Sequence, residues 1–76
     1  MKSVSIKLST VQDIRDFVDV TAGIDEDIDL SSGRYVVDAK SIMGIFSLDL
    51  LSPITMTVMA DNADEIIAKF EKFIVK

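Results

Sequence analysis

Apolar and polar residues alternate at the start of the chain. Val4, Ile6 and Leu8 are separated by Ser5 and Lys7, the period of two expected of a strand with one buried face. At residue 10 the period changes. Val11, Ile14, Phe17, Val18 and Thr21 recur at helical steps, Ser9 and Gln12 have the spacing of a capping box, and Gly23 stops the run. This predicts a first helix over residues 10–22. Ile28 and Leu30 then stand between Asp27, Asp29 and Ser31, and the tetrapeptide SSGR separates them from the β-branched run YVVDA, which reads as a hairpin. Ile54, Met56 and Val58 alternate with Thr55 and Thr57 after Pro53, giving a fourth strand. In the last segment Asp61 or Asn62 is placed to cap a helix. Asp64 and Glu65 lie in its first turn, and Ala63, Ile66, Ile67, Phe70, Phe73 and Ile74 form its apolar face. Lys69, Lys72 and Lys76 fall toward its C-terminal end, where cations suit the helix dipole.

Between the third and fourth strands lies DAKSIMGIFSLDLLSP, unusually apolar for its length. Ser41 stands as an N-cap ahead of a short second helix, and helical spacing divides its apolar residues between two sides. Ile45 and Leu48 are expected in the core. Ile42, Met43 and Phe46 are expected on the opposite side, with Gly44 permitting close approach. The resulting order is β-α-β-β-α-β-α. Each strand has one apolar face, so the predicted fold is α+β: a two-layer open-faced sandwich, a four-stranded antiparallel sheet with three helices on one face.

Size gives the outward side of the short helix its meaning. The chain has 76 residues with no Pro/Gly/Ser-rich linker, so a single domain over residues 1–76 is expected. A domain of this size buries only about 60% of the surface its unfolded chain exposes and needs most of its apolar residues inside. Three large apolar residues turned outward would form a patch of the kind that marks a partner site.

Charge and composition narrow the chemistry. Thirteen acidic against eight basic residues give a net charge of −5, which disfavours nucleic acid and anionic membrane surfaces. No apolar run approaches a spanning helix, the start of the chain lacks the apolar region of a signal peptide, and cysteine is absent, so a cytoplasmic location is expected. The sequence contains no histidine, which removes the commonest general base, metal ligand and imidazole nucleophile. No phosphate-binding, dinucleotide-binding or nucleophile-elbow motif replaces it. The acidic group Asp25, Glu26, Asp27 and Asp29 lacks the central Gly and final Glu of a calcium loop and reads as a solvated strand entry. Neither enzymatic activity nor a cofactor or metal is expected.

The segment KSIMGIFSL, residues 40–48, resembles the regulatory-serine segment of the HPr family, the small phosphocarriers of the bacterial sugar phosphotransferase system. TAGIDEDIDL and ADNADEIIAKFEKFIV are similar in pattern to that family's second strand and final helix. The resemblance implies the β-α-β-β-α-β-α fold, makes Ser41 a candidate for regulatory phosphorylation, and suggests HPr kinase or a transcriptional regulator as partners. It departs from the family where the family does its chemistry. HPr proteins carry a phosphorylated His just before the first helix, followed by Ala, Arg and Pro. Aligned without a gap from Ser41, Thr10 occupies the histidine position, Gln12 the arginine and Asp13 the proline. A phosphothreonine is a stable ester and cannot pass its phosphoryl group on as a phosphoimidazole does. Gln12 removes the cation that would hold the phosphoryl group, and Asp13 adds repulsion.

The expectation is therefore a non-catalytic, HPr-like regulatory or protein-binding module that uses Ile42, Met43 and Phe46. The alternative is a small-molecule, anion-binding or structural subunit that shares only the fold. For Ser41 itself, the simplest role is that of a helix cap contributing about 1 kcal/mol.

Overall fold

The computed structural model describes residues 1–75. Its elements are β1 (Lys2–Ile6), α1 (Val11–Ala22), β2 (Ile28–Ser32), β3 (Tyr35–Asp38), α2 (Ile42–Phe46), β4 (Ile54–Val58), α3 (Ala63–Ala68) and a 3-10 turn at Glu71–Phe73. The strands form one antiparallel sheet in the order β1-β4-β2-β3. Alternation along β4 buries Ile54, Met56 and Val58 and turns Thr55 outward, with Thr57 half-buried. The register sets Leu30 beside Met56 and Ile28 beside Val58, so the two central strands present one apolar surface to the helices.

α1 lays Ile14, Phe17 and Thr21 on that surface, and α3 adds Ala63, Ile66 and Ile67. Phe17, Phe70 and Phe73 meet with ring centroids 5.1 and 5.5 Å from Phe17, in the tilted and edge-on arrangements that aromatic rings favour. Thr21, the one buried polar residue among those described, donates its hydroxyl hydrogen bond to the Val18 carbonyl at 2.8 Å.

Element order, the β2–β3 hairpin, the antiparallel sheet and the layering agree with the sequence expectation, and several details differ. β1 ends at Ile6, and Leu8 is buried from the connection that follows. The capping box of α1 is formed by Thr10 and Asp13, one residue later than Ser9 and Gln12. Both pairs have the same spacing, and it is Thr10 that stands at the N-cap, with its backbone extended and its side chain accepting from the Asp13 amide. Val11, at the first helical position, stays exposed instead of joining the core.

The predicted long last helix breaks in two. α3 stops at Ala68, and the 3-10 turn lets Phe73 reach the core while Ile74 bridges to Ile6. Asn62 occupies the N-cap position of α3 without a side-chain hydrogen bond to the helix. Lys69 follows the end of α3, and Lys72 pairs with Asp16 of α1 at 2.9 Å. Lys76 lies outside the described residues. No helix among the described residues is long and apolar enough to cross a membrane.

Candidate functional site

At the start of α1, Thr10 Oγ1 accepts from the Asp13 amide at 3.0 Å. In return, Asp13 Oδ2 accepts from the amides of Thr10 at 3.2 Å and Ser9 at 2.9 Å. The box is closed in both directions: the Thr10 hydroxyl is turned to the helix, and a carboxylate already occupies the amides that precede it. An incoming phosphoryl group here would meet a like charge. Gln12 is directed elsewhere, its Nε2 donating to Asp16 Oδ1 at 2.8 Å. Asp16 also accepts from Lys72, and the Lys72 ammonium first, then the Gln12 amide, hold its carboxyl below the ordinary value of 3.8. This network ties α1 to the C-terminal segment, and among the described residues no side-chain cation is hydrogen-bonded to Thr10.

α2 is organised by its cap and its contact with β3. Ser41 Oγ accepts from the Gly44 amide at 3.2 Å. A Cβ on Gly44 would lie 3.1 Å from Cβ of Val37 and 3.3 Å from Ser41 Oγ, so glycine is what allows the helix to settle against the strand. Ile45 is fully buried and Leu48 is 6% exposed. Met43 is 77% exposed, Phe46 48% and Ile42 39%. The short helix thus fastens itself with one side and leaves the other to solvent.

After α2, the Lys7 ammonium donates to the carbonyls of Leu50 at 3.3 Å and Leu51 at 2.5 Å, holding a loop on which the Leu51 side chain is 90% exposed. A groove of about 510 Å³ lies between the hairpin turn and the residues that follow α2, lined by Ser32, Gly33, Arg34, Tyr35, Ser47, Leu48 and Asp49. None of the candidate site residues Thr10, Ser41, Ile42, Met43 and Phe46 lines it. Asp25, Glu26, Asp27 and Asp29 do not gather into a cation-holding group.

The structure brings Ser41, Ile42, Met43 and Phe46 together on one helix and sets Thr10 apart at the start of another. Sequence reasoning missed the part Asp13 plays in the capping box, although Thr at N-cap with Asp three residues on was a readable signal. It also missed the exposure of Val11 and Leu51, which no period distinguishes from core positions.

The family model described as the HPr component phosphorylation site of the phosphotransferase system matches residues 12–76. The match begins beyond Thr10. No curated protein matches the chain. Among solved structures, HPr-C-His from Thermoanaerobacter tengcongensis is 26% identical with a TM-score of 0.79, the alignment covering 95% of this chain and 89% of that one. The phosphocarrier protein HPr from Bacillus anthracis is 28% identical with a TM-score of 0.74, covering 97% and 94%. A histidine-containing phosphocarrier protein of mycoplasma shares the fold at 17% identity, with a TM-score of 0.71 and coverage of 93% and 86%. With a family match over most of its length and the sheet order and helix placement above, the chain belongs to the HPr family of phosphotransferase-system phosphocarriers.

Proposed function

We propose that this chain is a cytoplasmic regulatory or protein-binding member of the HPr family that does not carry phosphoryl groups. One observation carries the reading. The family's histidine position holds Thr10, closed into a capping box with Asp13, in a sequence that has no histidine to replace it. The residue types at this position can cap a helix and cannot form a labile phosphorus–nitrogen bond.

The docking surface in this reading is the outward side of α2. Met43 and Phe46 supply flexible and aromatic apolar area, Ile42 adds to it, and the burial of Ile45 and Leu48 keeps the helix in place as a partner approaches. Ser41 is the candidate switch. Phosphate there would add negative charge beside Ile42 and Met43 and change which partner the patch accepts. HPr kinase or a transcriptional regulator is the partner that membership of the family suggests for this surface.

The test is a titration of isotope-labelled protein with an HPr kinase and with enzyme I of the phosphotransferase system, followed by NMR. Shifts concentrated on Ile42, Met43 and Phe46, and lost in Met43→Asp, are expected. Shifts confined to the groove around Arg34 and Tyr35, or none on α2 with either protein, would contradict the proposed docking surface.

A further inference from the structure

The two edges of the sheet are treated differently. At β1 the C-terminal segment covers the last part of the edge: the Lys7 amide donates to the Phe73 carbonyl at 2.8 Å, the Val75 amide donates to the Ser5 carbonyl at 2.9 Å, and Ile74 bridges to Ile6. At β3 no described residue pairs with the outer side. β3 also lacks the proline and lysine that commonly guard an open edge, presenting Tyr35 and Val36 at 71% and 64% exposure.

The backbone groups on that edge can be assigned from the ladder. The Ala39 amide donates to the Ile28 carbonyl, and β3 pairs with β2 in the register Asp38 to Asp29, Val37 to Leu30, Val36 to Ser31 and Tyr35 to Ser32. Bonded and non-bonded pairs alternate in an antiparallel ladder, so Val37 and Tyr35 point their N–H and C=O groups inward with Ala39. Val36 directs both of its groups outward, and Asp38 directs its N–H outward while its carbonyl accepts from the Ser41 amide at 3.0 Å. The glycine of the Gly33–Arg34 turn, with φ of 60°, allows the chain to reverse and places Arg34 two residues before Val36.

We infer that β3 is the pairing edge of a symmetric homodimer, in which two copies join antiparallel about a two-fold axis at Val36. The sequence of the strand is complementary to itself in that register. Val36 meets the partner copy's Val36 and the two exchange N–H and C=O groups as a reciprocal bonded pair. Tyr35 falls opposite Val37, and Arg34 falls opposite Asp38, twice over by symmetry. Arg34 and Asp38 have no ion-pair partner among the described residues; Asp38 Oδ1 accepts from the Lys40 amide at 2.8 Å, which leaves Oδ2 to meet the guanidinium. A register shifted by two residues would lose both charge pairs and the central valine pair. The strand is only four residues long, so the association is expected to be weak and dependent on concentration.

Sedimentation equilibrium from micromolar to millimolar chain tests the inference, with amide hydrogen exchange of Val36 as a site-specific readout. A monomer–dimer equilibrium is expected, with the Val36 amide becoming protected as the dimer forms. Arg34→Glu and Asp38→Arg should each weaken it by about tenfold or more, because each replaces two attractive cross-strand pairs with two repulsive ones. The double variant should restore it. Val36→Lys, at an exposed position, should abolish it while leaving the circular dichroism unchanged. A chain that stays monomeric throughout would overturn the inference. So would a dimer that ignores these substitutions and is lost in Met43→Asp, which would put the contact on α2.

Discussion

Replacing Ile45 and Met43 one at a time separates the anchoring side of α2 from its outward side. Ile45→Ala removes three carbons from a fully buried side chain, about 2.4 kcal/mol of transfer free energy at about 0.8 kcal/mol per carbon. The site cannot collapse freely, because Gly44 already lies close to Val37 and the cap at Ser41 fixes the start of the helix. A residual cavity therefore raises the expected cost to about 3–4 kcal/mol. Against a total stability of about 4–11 kcal/mol for a chain of 76 residues, that loss lowers the melting temperature by about 12–30 °C. Met43 is 77% exposed, and Met43→Ser should cost less than about 0.5 kcal/mol. Urea titrations followed by circular dichroism, fitted with a common m-value, measure both. Equal costs for the two substitutions would mean that Met43 is core, and the argument for a docking patch on α2 would lose its physical basis.

Three further outcomes follow from named contacts. Thr10→Val should destabilise the chain by about 1 kcal/mol and Asp13→Ala by a similar amount, with the double variant costing less than the sum because both break one capping box; chemical denaturation of the three variants decides this. Asp16 has its folded-state carboxyl below the ordinary value, so it contributes stability that is present above that value and lost as pH falls through the folded-state one; Asp16→Asn should flatten the acid limb of a melting-temperature profile below about pH 4, and an unchanged limb would refute the role given to Lys72 and Gln12. Incubation with ATP and an HPr kinase should place phosphate on Ser41 and on no residue in Ser41→Ala, read by mass spectrometry, whereas phosphate on Ser47 or Ser52 would leave Ser41 a cap alone.

The fold was largely legible in the sequence because β2 and β4 alternate apolar and polar residues and α1 and α3 carry buried residues at helical spacing. β4 shows this best: Ile54, Met56 and Val58 turn inward as their spacing requires. The ends of elements were less legible. Ser9–Gln12 and Thr10–Asp13 share the capping-box spacing, and the folded chain closes the second while Gln12 turns to Asp16. The last helix reads as continuous because Phe70, Phe73 and Ile74 keep a helical period, yet it ends after Ala68 and Ile74 pairs with Ile6 as an extended residue. At the candidate site, the division of α2 between Ile45 and Met43 came directly from periodicity. The open edge of β3 was not visible, since strand order is a long-range property that no local pattern records.

Phosphoryl transfer tests the central claim most directly. The protein, incubated with enzyme I, magnesium and labelled phosphoenolpyruvate beside a histidine-containing HPr as a positive control, should take up no acid-labile label. Thr10→His alone should not restore uptake, since Gln12 supplies no cation and Asp13 keeps its carboxylate on the amides of Ser9 and Thr10. Stoichiometric acid-labile labelling of the unmodified chain would contradict the account.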